Sequence, residues 1–179
     1  GGVLGSDPIP MNADTAHFEV RIEKVRDGEY QDGLTLGVTT TPPDLVEEMP
    51  EKLNMIKNTW LVGFSDGDDV VYGTTSKYYQ DVERAYTLLR AGDKIRVEVA
   101  KATGIMSTYK NGQLVAEGPQ DITRGENLFA VVDLLGSIEE VSLVPEEGQN
   151  SRPRTSREHR ASYSERRKSS GSSLRMIPV

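Results

Sequence analysis

The sequence predicts an all-β protein, an antiparallel β-sandwich of two sheets. Residues 15–146 contain about eight short segments in which apolar and polar residues alternate, as in half-buried strands. Turn residues separate most of these segments, and one pair of segments is joined by Asn111-Gly112, a strong β-hairpin signal. Inward Val, Ile and Leu on two facing sheets would form a core of adequate size for such a domain.

In the first half of this domain, the alternation of apolar and polar residues is interrupted once and then resumes. "HFEVRIEKV" and "GLTLGVTT" each place three aliphatic or aromatic residues on one face, namely Phe18, Val20 and Ile22, and then Leu34, Leu36 and Val38. "TPPDLVEEMPEKLNMIKN" breaks the alternation with two successive prolines, which cannot donate to a sheet ladder. We therefore expect a long connection here, with a helical turn over "DLVEEM". "TWLVGF" and "DVVYG" follow as two short strands around a turn.

The second half contains the one ambiguous element. In "SKYYQDVERAYTLLRAGD", Val82, Tyr86 and Leu89 have helical spacing, which favours one or two helical turns ended by Gly92. "KIRVEVAK" then alternates, with its apolar face formed by Ile95, Val97 and Val99. The predicted hairpin "GIMSTYKNGQLVAEG" and the strands "LFAVVDL" and "SIEEVSLV" complete the sandwich.

Composition excludes several classes of function. The chain has no cysteine, which rules out disulfides, thiolate metal sites and cysteine nucleophiles and agrees with an intracellular, cytoplasmic location. It has two histidines far apart in sequence, and no segment long and apolar enough for a membrane helix. No nucleotide-binding glycine motif is present. We expect no catalytic residues, no metal and no cofactor.

The chain divides into three regions by composition. Residues 1–14 predict a loose lead-in, 15–146 the sandwich and 147–179 a Ser/Arg-rich tail. Residues 1–150 carry 13 Lys and Arg against 26 Asp and Glu, whereas residues 151–179 carry 8 against 2, so charges of −13 and +6 make up the net −7. Such a tail buries too little apolar surface to order alone, so we expect it to be disordered.

The tail suggests regulation or attachment. Arg160 precedes Ser162 by two residues, and Arg166 and Arg167 precede Ser169 by three and two, contexts that basophilic kinases prefer. Ser162 and Ser169 are therefore candidate phosphorylation sites, against the alternative of an unregulated linker. The tail's charge suits an acidic surface, which could be nucleic acid, anionic lipid, an acidic protein or the chain's own sandwich. The tail has no interleaved aromatic residue apart from Tyr163, which argues against nucleic acid.

The order of five signatures resembles a known family. "GLTLGVTTTPPD", "NTW" before a Gly-containing strand pair, "LLRAGDKIRVEV", "TYKNGQ" and "FAVVDLLGSIEEVSLV" together resemble the neuralized homology repeat, also called the NHR or NEUZ domain, over residues 15–146. The resemblance implies a SPRY-like, concanavalin-like sandwich. It also implies a non-catalytic module that binds a peptide or protein face through loops at one end, as a ubiquitin-ligase adaptor or scaffold.

Candidate partner-binding residues follow from this resemblance and from the loops. They are threonines and a proline opening the long connection, the single tryptophan, and tyrosines of the variable stretch: Thr40, Thr41, Pro43, Trp60, Tyr72, Tyr78 and Tyr79. The alternatives are an ordinary loop for the first three and a core position for Trp60. A structural subunit of a cytoskeletal or organellar assembly is the alternative function. A carbohydrate-binding or hydrolytic sandwich is disfavoured because aromatic residues are only 6% of the chain.

Within the most apolar segment, "NLFAVVDLLGSIEEVSLV", Asp133 stands in the middle of the apolar run from Phe129 to Leu135. It could be catalytic, a buried structural acceptor, or exposed on a strand less buried than its sequence suggests. No histidine or second acid stands at a suggestive spacing, and burying an unpaired carboxylate is costly. We therefore expect a structural position, facing solvent or accepting from backbone N–H groups.

Overall fold

The structure is a computed structural model and consists of two antiparallel sheets packed face to face. It describes residues 1–26, 34–50, 53–65, 68–72, 77–78, 89–134 and 136–145, with the backbone alone at 64–65, 68–72 and 77–78. Two short 3₁₀ helices, Pro43–Leu45 and Leu53–Met55, lie between strands. The strands are β1 Gly2–Leu4, β2 Thr15–Val25, β3 Leu34–Thr39, β4 Thr59–Ser65, β5 Asp68–Tyr72, β6 Lys77–Tyr78, β7 Lys94–Ala100, β8 Ile105–Lys110, β9 Gln113–Glu117, β10 Phe129–Leu134 and β11 Ile138–Leu143.

The strands form a six-stranded and a five-stranded sheet. Sheet A has the order β1-β10-β3-β4-β5-β6, and sheet B has the order β11-β2-β7-β8-β9. Every described strand pair is antiparallel, so the predicted fold class is confirmed. No helix among the described residues has the length and apolarity needed to cross a membrane.

The main core lies between the two sheets and is formed by the predicted alternating residues. Every aliphatic or aromatic residue predicted to face inward is at most 7% exposed: Phe18, Val20, Ile22, Leu34, Leu36, Val38, Ile95, Val97 and Val99. Burying each such side chain contributes about 1.5–3 kcal/mol, which offsets the entropy lost when the strands order.

The predicted hairpin forms with the expected turn. Asn111 and Gly112 have φ of 51° and 83°, the positive values that a type I′ turn requires at both central residues. They join β8 to β9, and Lys110 pairs with Gln113 across the turn.

The amino-terminal region differs from the loose lead-in that we expected. Gly2–Leu4 pairs with β10 as the edge strand of sheet A, and Ile9 is 5% exposed in the main core. Backbone hydrogen bonds continue beyond β1, because the N–H groups of Gly5 and Ile9 donate to the carbonyls of Ala130 and Leu128. These residues lack alternation, but β10 offers them an open hydrogen-bonding edge.

The connection between β3 and β4, residues 40–58, covers the outer face of sheet A. Its 3₁₀ turn begins at Pro43, slightly before the helical turn predicted over residues 44–49, and a second turn follows. Leu53 and Ile56 pack with Leu4, Leu61 and Val131 in a second hydrophobic cluster outside sheet A. Every residue of β3 is therefore buried, on both faces. The helical turn predicted around residues 82–89 lies almost wholly outside the described residues.

Candidate functional site

Chain connectivity defines two ends of the sandwich. At one end, β10 finishes at Leu134 and β11 begins at Ile138, four residues later. At the opposite end lie the 40–58 connection, the 101–104 turn and the 118–128 segment that leads into β10. The N–H of Ile122 donates to the carbonyl of Gly104, which joins the last two of these. We call this the long-loop end.

A network of threonine hydroxyls closes the base of the 40–58 connection. The Thr59 hydroxyl donates to the Thr39 hydroxyl oxygen at 2.9 Å, and Thr39 donates to the Asn58 carbonyl at 3.0 Å. The Thr41 hydroxyl donates to the Lys57 carbonyl at 2.7 Å, and the Thr40 N–H donates to the Asn58 carbonyl at 3.1 Å. Thr40 and Thr41 thus lie at the predicted end, but the Thr41 hydroxyl is used within the chain.

Pro43 starts the first 3₁₀ turn, where its fixed φ suits the first helical position. Pro43 is half-buried, and most of the residues that follow it, up to residue 50, are exposed. Val46 packs against the outer cluster, whereas Leu45 is 69% and Met49 is 41% exposed. The connection is therefore held at several points but presents apolar side chains to solvent.

Trp60 is a core residue, which is the alternative that the sequence analysis left open for it. It is 1% exposed and belongs to the main core between the sheets. Its indole Nε1–H donates to Asp121 Oδ1 at 2.9 Å, which ties the 118–128 segment to β4. Trp60 is not available to a partner at the surface, because its ring is enclosed.

Two of the three predicted tyrosines, Tyr72 and Tyr78, lie on the last two strands at one edge of sheet A. The register pairs Tyr72 with Leu61 and with Lys77, and pairs Val71 with Tyr78. Thr59 begins β4 at the long-loop end, and Leu61 lies only two residues further along that strand. The backbone of Tyr72 in β5 and of Tyr78 in the edge strand β6 is therefore near the long-loop end. Tyr79, Ser162 and Ser169 lie outside the described residues.

A cleft at the long-loop end was not predicted from the sequence. It has a volume of about 300 Å³ and lies among the start of β2, the β7–β8 turn and the 118–128 segment. Buried apolar residues form its floor, each at most 5% exposed: Ala16, Val99, Ile122 and Leu128. Its rim is formed by Met11, which is 49% exposed, and by the charged residues Lys101, Arg124 and Glu126. The lining residues are Met11, Ala16, Val99, Ala100, Lys101, Gly104, Ile122, Thr123, Arg124, Gly125, Glu126 and Leu128.

Gly104 shapes one wall of this cleft. Its φ is +71°, and a Cβ added there would lie 2.5 Å from the Ile122 carbonyl oxygen. Glycine therefore permits both the turn and the close approach of the 118–128 segment. The turn-forming residues in "EGPQDITRGEN" predict a loop, but no sequence pattern indicates that this loop and the 101–104 turn enclose a cleft.

The rim combines apolar surface with separated charges. Lys101 Nζ donates to the Asn12 carbonyl, and the Arg124 guanidinium donates to the Ala102 carbonyl at 3.1 Å. These bonds fix the two cations over neighbouring loops, and Glu126 supplies a carboxylate. An apolar floor with a few placed charges suits a side chain of a peptide together with its flanking polar groups.

Asp133 is buried, so the alternative of an exposed strand acid is wrong. It is 5% exposed on the outer face of sheet A, opposite Gly2 and Thr35 in the register. Burial raises the pKa of its carboxyl above the ordinary value, and the Gly1 amino group, 3.7 Å from Oδ1, partly opposes this shift. Among the described residues no group of three or more His, Cys, Asp or Glu could hold a metal ion.

Comparison with known proteins gives both the fold and the family. The crystal structure of the Drosophila melanogaster neuralized NHR1 domain is similar to this chain, with a TM-score of 0.58 and 13% identity over 81% of this chain and 80% of that one. The solution structure of the NEUZ (NHR) domain of Drosophila melanogaster Neuralized has a TM-score of 0.56 and 13% identity, covering 80% and 73%. The crystal structure of the human HERC1 SPRY domain has a TM-score of 0.51 and 15% identity, covering 82% and 79%.

The sequence itself carries the family assignment. The family model described as Neuralized matches residues 1–145, which include the β1 strand and the whole described sandwich. The resemblance noted over residues 15–146 is thereby confirmed. The family match begins at residue 1, before the first residue of the region that carries the five signatures. The chain belongs to the Neuralized family, whose NHR domains, like SPRY domains, are protein-interaction modules.

Proposed function

We propose that this chain is a non-catalytic module that binds a short peptide segment of a partner protein at the long-loop end. The observation that carries the proposal is the cleft, whose floor is apolar and whose rim holds Lys101, Arg124 and Glu126. Clefts of this kind bury an anchor side chain and orient it with a small number of polar groups.

The surrounding surface extends the proposed site toward sheet A. Thr40, Thr41 and Pro43 start the connection at this end, and the backbones of Tyr72 and Tyr78 lie at the sheet edge nearby. Tyrosine contributes large contact area at low entropic cost, so the edge suits recognition. Tyr79 remains part of the proposal, and Trp60 supports the site from beneath.

An adaptor or scaffold is the cellular role that we propose for such a module, including attachment of a ubiquitin ligase to its substrate. Family membership supports a role in protein interaction, and the chain itself lacks the cysteines that a RING needs. Its cysteine-free composition supports an intracellular, cytoplasmic setting.

The cleft is tested by filling it. Peptides are selected from a random phage-displayed library on the full chain, and their Kd values are measured by fluorescence polarisation. Thr123→Trp places a bulky ring on the exposed cleft rim and should weaken binding by at least about tenfold, as loss of one buried anchor does. Gln113→Trp, at an exposed position at the other end, is the matched control.

The outcomes separate the parts of the proposal. Weaker binding by Thr123→Trp alone supports the cleft. Weaker binding by Tyr78→Ala as well extends the site to the edge of sheet A. Equal binding by both Trp variants and the wild type would overturn the cleft as the binding site.

A further inference from the structure

The 40–58 connection exposes three apolar side chains, none of which lines the cleft. Leu45, Met49 and Met55 are 69%, 41% and 68% exposed, whereas Leu53 and Ile56 from the same connection are buried against sheet A. Isolated exposed apolar residues are ordinary, but three on one anchored connection are a candidate contact surface. We call Leu45, Met49 and Met55 the apolar triad.

Two members of the triad lie in an acidic setting. The exposed Asp44, Glu47 and Glu48 flank Leu45 and Met49 in sequence, and no cation stands among residues 44–49, whereas the exposed Lys57 follows Met55 by two residues. An apolar surface flanked by carboxylates fits a segment that is itself both basic and apolar. Methionine side chains adapt their shape readily, so this surface does not demand one exact partner conformation.

The chain's own tail has the complementary chemistry. Residues 151–179 carry 8 Lys and Arg against 2 Asp and Glu, and the last six residues, "LRMIPV", contain five apolar side chains around Arg175. This is the only stretch of the tail in which aliphatic residues cluster, since residues 151–173 contain none apart from Ala161.

The tail is long enough to place that hexapeptide on the triad. β11 runs antiparallel to β2 from Ile138, opposite Val25, to Leu143, opposite Val20, so the chain leaves sheet B heading toward the long-loop end. Twenty-eight residues separate 145 from 174, and a flexible segment of that length spans about 30 Å on average. A domain of this size is about 35–40 Å across, so the distance is accessible without stretching.

We propose that residues 174–179 bind the apolar triad as an intramolecular ligand, guided by the preceding arginines to Asp44, Glu47 and Glu48. Tethering gives the hexapeptide an effective concentration of the order of millimolar, so a weak contact suffices to occupy the surface. The attraction between a basic tail and an acidic domain weakens as salt screens it.

The methionines allow a direct test in the full chain. Selective methyl labelling gives five signals, of which Met49 and Met55 report the triad, Met106 the closed core at 0% exposure and Met11 the cleft rim at 49% exposure. Because the chain has no cysteine, Ser173→Cys provides a single attachment point for a nitroxide spin label. The proposal predicts that Met49 and Met55 lose intensity relative to Met106 and Met11, and recover as salt is raised.

Two triple variants separate local docking from general charge attraction. Asp44→Asn with Glu47→Gln and Glu48→Gln should restore the Met49 and Met55 signals. Asp7→Asn with Asp14→Asn and Glu117→Gln changes the charge equally at exposed positions elsewhere and should leave the broadening in place. Leu45→Ser should weaken the broadening without any change of charge.

Each alternative result overturns the proposal. Met49 and Met55 signals as intense as that of Met106 would show that the tail does not dock. Stronger broadening at Met11 would place the tail at the cleft instead. Equal effects of the two triple variants would show a diffuse electrostatic association with no site on the connection.

Discussion

Two buried polar side chains show opposite outcomes for a polar group placed in this sandwich. Trp60 is enclosed, but its single donor reaches Asp121 Oδ1 at 2.9 Å, so its burial leaves no unpaired group. Asp133 is enclosed beside Gly1, and its carboxylate loses hydration that this neighbour compensates only in part. The tryptophan therefore stabilises the fold, whereas the ionised aspartate carries a cost.

Asp133→Asn should make stability less dependent on pH. Because burial raises the pKa of Asp133 in the folded chain, its favourable contribution is complete below the pKa of the unfolded state and is lost as pH rises through the folded one. The asparagine variant should have a larger free energy of unfolding than the wild type at neutral pH, and the difference should shrink on acidification. Urea titrations across this pH range measure it.

Asp93 provides the contrast for that experiment. Burial would raise the pKa of Asp93, but hydrogen bonds from Asn111, the Arg90 backbone and Lys110, with the charge of Lys110, together lower it. The stabilisation by Asp93 is present above the unfolded pKa and is lost as pH falls, the reverse of Asp133.

For Asp133→Asn, a difference from the wild type in the free energy of unfolding that stays constant at every pH would contradict the assignment of the cost to ionisation.

At the scale of elements, turns decide how loops meet at the ends of the sandwich. Gly104 and Gly112 both have positive φ, at +71° and +83°. A Cβ at Gly104 would lie 2.5 Å from the Ile122 carbonyl oxygen, whereas one at Gly112 would meet nothing within 4 Å. A residue with a Cβ would therefore be strained at either turn, and only at Gly104 would it also collide with a neighbouring loop.

Gly104→Ala should destabilise the chain more than Gly112→Ala. Alanine at positive φ costs about 1–2 kcal/mol at either site, and at Gly104 the backbone must also move to relieve the contact with Ile122. Gly104→Ala should also weaken cleft binding, because the 118–128 segment shifts, and Gly112→Ala should not. Urea unfolding and peptide Kd values measure both effects, and equal losses in the two variants would contradict the role given to the close approach.

Strands and hairpins could be predicted here because each depends on local pattern. Alternation placed Phe18, Val20 and Ile22 inward, and the Asn-Gly pair required positive φ at both turn positions; the structure confirms both. These features depend on side-chain periodicity and backbone conformation, which a single sequence contains.

Features made by distant segments could not be predicted in the same way. β1 pairs with β10 across more than one hundred residues and has no alternation of its own, so the local pattern of residues 1–14 predicts a loose segment. The burial of Asp133 depends on the same pairing, and the cleft depends on three loops meeting. For Trp60, the sequence left core and interface open, and its burial at 1% exposure decides for the core.

At the scale of the whole molecule, the sequence joins an acidic region to a basic one, and this charge asymmetry favours the intramolecular contact that we propose. Residues 1–150 carry −13 and residues 151–179 carry +6. The connection that exposes the apolar triad contributes Asp44, Glu47 and Glu48 to the acidic part. Charge on the tail is therefore the quantity that controls the intramolecular contact that we propose.

Phosphorylation at Ser162 and Ser169 should release the tail from the connection. Each phosphate adds about −1.5 to −2, so the tail's charge would fall from +6 to about +2 to +3, while the apolar hexapeptide stays unchanged. Treatment of the spin-labelled chain with a basophilic kinase should restore the Met49 and Met55 methyl signals. The Ser162→Ala, Ser169→Ala variant, given the same treatment, should keep them broadened. Full phosphorylation with persistent broadening would mean that the apolar residues alone hold the tail, and that these serines do not regulate the contact.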